Sequence, residues 1–312
     1  MTKSGKKLGM IFAIISGITY GFYGIFSSLL VDSGLAEVTI ATLPALALAV
    51  VFGIKTLFKP KVLKDIPFKF YLGMIAQGFF LCNAMQYSYT QAYSLGMPVG
   101  VVSIVAFSNV LVIMVESYFI FKYKFTLRKV IAVTVVLVGV AFVIGLFNES
   151  MAGFTKAGLM WTLLIPLFAG TNTTVNSYFL SKGFDSDAIL FIVQTSALIF
   201  MMIFIVHPSA FFTDLAICLS GKPVYLAAFL GFCLVPHAIC YDTMQRALQR
   251  IEPTIYQILM AMDPFTAMIL GAIIFHQAIG SMQIIGGILV IGAVAYISIM
   301  ESKESIEDVK SS

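Results

Sequence analysis

The side chains in this sequence that could do chemistry all stand inside long apolar stretches. Asp263 is followed by Pro264, which has no N–H to give to the carbonyl of Met260. An acid and a free backbone acceptor would then lie side by side, a pairing suited to a cation, a proton or an amine. Glu116 and His237, the latter after Pro236, are the other titratable groups placed away from segment ends. Asp242 and Arg246 are four apart, so one helix face carries both and a local ion pair is expected. Neutral polar residues are denser. Thr171, Asn172, Thr173, Thr174, Asn176 and Ser177 fall within seven residues, with Asn172 and Asn176 one helical turn apart. Asn83 and Tyr87 are spaced the same way, beside Gln86, and Thr19, Tyr20 and Tyr23 form a third group. Ser and Thr can satisfy the carbonyls of their own helix; Asn and Gln hide less readily. The candidate ligand contacts are therefore Tyr20, Tyr23, Asn83, Tyr87, Asn172, Asn176, Tyr256 and Gln257, and the candidate charges are Asp263, Glu116 and His237. The competing explanation for the amides is hydrogen bonding between helices, at about 0.6 kcal/mol per contact.

Other chemistries lack their residues. There is no G-x-x-x-x-G-K-[ST] for a nucleotide, no H-E-x-x-H and no G-x-S-x-G. Cys82, Cys218, Cys233 and Cys240 form no C-x-x-C pair and no metal-spaced cluster with histidine, so they read as apolar filler. No catalytic group, cofactor or metal is expected. The net charge of +4 is not gathered on a basic face, which excludes nucleic acid as a partner.

The elements that position these residues follow from composition. Hydrophobic residues make up 60% of the 312 and charged ones 11%, about half the charged fraction of a soluble domain. Apolar runs of roughly 20 residues, each long enough to cross about 30 Å of hydrocarbon, recur throughout. They predict ten spans, at 8–31, 36–58, 69–93, 97–121, 127–147, 156–181, 186–207, 223–249, 253–276 and 281–300. Pro98 and Pro253 each open a helix, where a missing N–H costs nothing. Asp263 then falls about 15 Å into its span, near the midplane. With the N-terminus inside, all 19 Lys and Arg except Lys156 and Lys222 fall on the cytoplasmic side. Both termini are thus expected to be cytoplasmic, in the plasma membrane. The first apolar run is longer than a signal-peptide core and is read as a retained span. Residues 207–223 could hold a short surface helix, Asn148-Glu149-Ser150 fits an outer glycosylation sequon, and 301–312 is a charged tail.

The two halves align. At an offset of 155, Pro98 meets Pro253, Ala92 meets Ala247, Ser108 meets Asp263 and Asn109 meets Pro264; at about 149, Gly21 meets Gly170 and Gly34 meets Gly183. Five spans per half is odd, so the second copy enters the membrane from the opposite side. The predicted fold class is an all-α integral membrane protein with ten transmembrane helices in two inverted five-helix repeats, at 1–150 and 151–300. Inverted repeats of this kind are typical of secondary transporters, with the substrate near the midplane between the halves.

On these residues the chain resembles the drug/metabolite transporter superfamily, in its ten-helix EamA form. The resemblance rests on SGITYGFYGIFSS and FAGTNTTVNSYFLSKG, on QAYSLGMPVGV and RALQRIEPTIY, on DPFTAMILGAIIF, and on the turn before GGILVIGAVAYI. It implies a central cavity lined by spans one, three, four, six, eight and nine. The chain departs from the pattern at Asn109, where the family often has Pro, and at Tyr123 and Gln277, where it often has Glu. The expected function is alternating-access transport of a small polar or amphipathic organic metabolite, with the lipid bilayer and a coupling proton or cation as further partners. The rivals are a broad-specificity drug exporter and a membrane-embedded enzyme.

Overall fold

In the computed structural model, residues 3–97, 99–124, 126–144, 155–206, 208–220, 222–274, 276 and 279–310 are described. The first half contains α1 (Lys3–Tyr20), α2 (Tyr23–Asp32), α3 (Glu37–Leu57), α4 (Lys61–Lys64), α5 (Phe68–Ala76), α6 (Asn83–Ser94), α7 (Val99–Phe107), α8 (Asn109–Phe121) and α9 (Leu127–Ile144). The second contains α10 (Lys156–Ser181), α11 (Ser186–Phe204), α12 (Pro208–Ser220), α13 (Pro223–Cys233), α14 (Cys240–Leu248), α15 (Pro253–Leu259), α16 (Met262–Ile274) and α17 (Ser281–Lys310). Widened π turns, Gln77–Cys82 and Leu234–Ile239, join α5 to α6 and α13 to α14. Among the described residues there is no strand.

Seven helical stretches are long and apolar enough to cross a membrane, against the ten expected. The other expected spans are helical but more polar or shorter. Residues 68–94 end in the polar α6, α10 carries the Thr/Asn run, and Val105–Phe121 is a shorter apolar helix. The spans are also less continuous than hydropathy implies. The first breaks at Gly21–Phe22, the fourth at Ser108 and the ninth at Met260–Ala261. The ninth break corrects one expectation. Asp263 N–H donates to the Met260 carbonyl at 2.9 Å, so that carbonyl is not free. Pro264 stands in the first turn of α16, where no N–H is required. Within the charged 301–312 tail, α17 stays helical through Lys310. The 207–223 segment does form a helix, α12. Pro98, Gln277 and the 148–150 sequon lie outside the described residues.

The two halves use matching packing devices. Gly34 at φ +91° ends the first span and Gly183 at φ +81° ends the sixth, both in the left-handed region that glycine tolerates. A carbon added at Gly21 would lie 2.9 Å from the Asp263 carbonyl and 2.6 Å from Thr266, so α1 lies close on α16. The equivalent carbon at Gly170 would lie 3.1 Å from the Asn109 carbonyl and 2.7 Å from Val112, so α10 lies close on α8. α1 packs on α14 as α10 packs on α6, while α3 pairs with α11 and α9 with α17.

The α9–α17 crossing needs its glycines. A carbon on Gly286 would sit 2.6 Å from the Gly139 carbonyl and from the Val143 nitrogen, both backbone atoms that cannot move aside. Gly286→Val is therefore expected to destabilise the fold by about 3 kcal/mol, at the upper end of overpacking costs. A thermal-unfolding midpoint in detergent equal to wild type would show that the crossing is looser than this.

Candidate functional site

The two π turns decide what Asn83 and His237 do. A widened turn strips carbonyls of their helical partners, and in hydrocarbon these must be satisfied from elsewhere. Asn83, 3% exposed, donates its amide nitrogen to the carbonyls of Gly78 at 2.9 Å and Phe79 at 3.1 Å. In the second turn Pro236 lacks the N–H that the Phe232 carbonyl would receive in an α-helix. His237 replaces it, with Nδ1 2.6 Å from that carbonyl. A carbonyl only accepts, so Nδ1 carries the proton. The ring is 2% exposed, with centroids 4.6 Å from Phe232 and 5.8 Å from Tyr23. His237 therefore has a structural task that a proton relay does not require.

The remaining amides and tyrosines each make contacts between helices or stack on neighbouring rings. Asn172 on α10 accepts from Gln77 Nε2 at 2.8 Å and from the Cys82 thiol at 3.5 Å. One turn along, Asn176, 4% exposed, donates to Gln245 Oε1 at 2.8 Å and tethers α10 to α14. Tyr256, 3% exposed, shares a 3.1 Å hydrogen bond with Ser16, whose hydroxyl also lies 3.1 Å from the Cys240 carbonyl. Gln257 is buried on α15. Tyr87 is exposed and packs its edge against Trp161 at 5.3 Å. Tyr20 and Tyr23 stack at 5.6 Å across the break between α1 and α2.

The carboxylates are placed differently. Glu116 on α8 accepts from the Thr171 hydroxyl at 2.7 Å, while its Oε2 is buried and accepts no hydrogen bond among the described residues. Asp263 lines a cleft of about 290 Å³. The walls are Ser103 and Phe107 of α7, Val140, Val143 and Ile144 of α9, Pro264, Ala267 and Met268 of α16, and Ile279 and Gln283. The cleft thus lies toward the C-terminal end of α9 and the start of α17, with Asp263 among its lining residues.

Away from the cleft, α3, α11 and α14 carry an ion cluster, of which only the Asp242–Arg246 pair was expected from spacing. Lys55 on α3 bridges Asp187 and Asp242, at 2.7 Å each, and Arg246 pairs with Asp242 at 2.6 Å as its spacing predicted. Lys59 reaches Asp187 at 3.3 Å and Asp185 at 3.8 Å. Lys129 at the start of α9 pairs with Glu252, just before α15. The legible signal was a basic end to one span and the acids of FDSDA opening another.

Against known proteins, a family model described as the EamA-like transporter family matches residues 7–145 and again 156–299. No curated protein matches the chain. One solved structure, described only as "Crystal structure of protein", superposes with a TM-score of 0.72 over 96% of this chain and 98% of its own at 16% identity. At that identity the likeness shows the fold alone. With its two matched segments covering most of its length, this multi-pass membrane protein belongs to the EamA-like transporter family.

Proposed function

We propose that the chain is a secondary transporter that carries a small amphipathic organic metabolite across the plasma membrane. Ten spans in two inverted five-helix halves alternate access to a site at Asp263. The observation that carries this reading is the separation of two polar regions. The cleft at Asp263 is lined from the C-terminal end of α9 and the start of α17, while the ion cluster and the Asn176–Gln245 pair lie on other helices, α3, α10, α11 and α14. The repeated glycine devices of the two halves support the inverted pairing. A carboxylate among mainly apolar side chains favours an amphipathic solute. Counterflow in proteoliposomes, run across a metabolite library, tests the function: saturable uptake of at least one solute is expected, and none across the library would refute it.

The same reading puts both termini in the cytoplasm and α12 outside. A cysteine replacing exposed Ser209 should react with a membrane-impermeant maleimide in intact cells, and one replacing Lys3 should not. The opposite pattern would invert the orientation.

A further inference from the structure

We propose that the cleft at Asp263 is a cation site that takes an ammonium group carried on an apolar body of about phenethylamine size. The proposal rests on the transport reading for its biological meaning, but not for its chemistry. Among the described residues Asp263 is the only charged one on the walls and has no ion-pair partner. Gln283 offers little, since its side chain already accepts from Gly280 N–H at 2.9 Å and donates to the Val143 carbonyl at 3.1 Å. Ser103 is the one further polar side chain of the lining; the other side chains are apolar, and backbone groups supply polar surface beside them. An anion would meet only repulsion here. An ammonium fits both features: its charge meets the carboxylate, and its apolar remainder meets Phe107, Val140 and Met268. The volume of about 290 Å³ lies at the small end for organic ligands.

Equilibrium binding to the full chain in an uncharged detergent tests this by calorimetry, with 2-phenylethylamine, its trimethylammonium derivative, 2-phenylethanol and 3-phenylpropionate as probes. Both cations should bind wild type, and both neutral and anionic probes should bind more weakly by about tenfold or more, the scale of a charge-assisted contact. Asp263→Asn should weaken the cations by a similar factor. Ala267→Phe, which fills the cleft without touching the charge, should also weaken them. Equal cation binding by wild type and a folded Asp263→Asn would overturn the site, as would a preference for the anion. If Asp263→Asn does not yield folded protein, Ala267→Phe decides, and unchanged cation binding there is equally fatal. The walls include exposed residues such as Ala267, so a lipid ammonium is a second source of the same chemistry. Competition in nanodiscs containing phosphatidylethanolamine, absent with phosphatidylglycerol alone, would identify that source and uphold the site. Cation binding without flux of any solute would end the transport reading and leave the site standing. Flux of another solute, indifferent to Asp263 and with no cation binding, would do the reverse.

Discussion

Asp263→Asn is expected to abolish solute flux while leaving a folded protein. The substitution keeps the shape of the side chain and removes its charge. Asp263 has no ion-pair partner among the described residues, so no basic group is stranded when the charge is lost. The backbone of the ninth-span break is held by Asp263 N–H on the Met260 carbonyl, which Asn retains. A charge-assisted contact is worth roughly 1.5–3 kcal/mol, or about tenfold to more than a hundredfold in occupancy. In a site with few other polar groups, little can replace it. The measurement is counterflow of a solute that wild type carries, with the variant matched for reconstituted protein and unfolding midpoint. Flux at the wild-type rate across pH 5 to 8 would make Asp263 a structural group. Coupling would then pass to Glu116, whose buried Oε2 lacks a partner among the described residues.

The sequence made the class of molecule legible because hydrocarbon is a demanding solvent. It forces long apolar helices and drives charges to their ends, and both patterns can be read residue by residue. The repeat was legible where glycine has a geometric task, as at Gly34 and Gly183, whose φ values are positive. The site was harder, and the reason is specific. Asn83, Asn176 and Tyr256 stand out in an apolar sequence whether they bind a solute or another helix, since either use satisfies a polar group. Only the partner distinguishes the two, and here the partners are Gly78, Gln245 and Ser16. Pro236 followed by His237 was decipherable in principle: a proline removes the donor for the carbonyl four residues back, and the next residue can supply one. The π turn that brings the ring to Phe232 has no such local signature. Lys55, Lys59, Asp185 and Asp187 were visible only as charges near span ends, because their pairing depends on α3 meeting α11.

That pairing gives the second large expected effect, on access from the basic face. Asp187 is 8% exposed in its side chain and Lys55 36%, and the two join α3 of the first half to α11 of the second. Behind them Asn176 and Gln245 join α10 to α14. If access alternates, these contacts exist only while this face is closed, so weakening them must favour the open state. Asp187→Asn removes one of the two acidic partners of both Lys55 and Lys59. Lys55 is partly solvated and keeps Asp242, so the loss is discounted to about 1–2 kcal/mol. That shifts the closed-to-open ratio by roughly fivefold to thirtyfold. A cysteine replacing Asn176 reports the change, in a background with the native cysteines replaced by serine. Its modification by a small thiol reagent applied to the basic face should speed up by that factor when Asp187→Asn is added. Asp214 accepts from Thr39 at 2.6 Å on α12, toward the other face, so Asp214→Asn should not speed it. An unchanged rate with Asp187→Asn would mean that the ion cluster only decorates a static end of the bundle. Equal acceleration by both variants would mean general loosening rather than a gate.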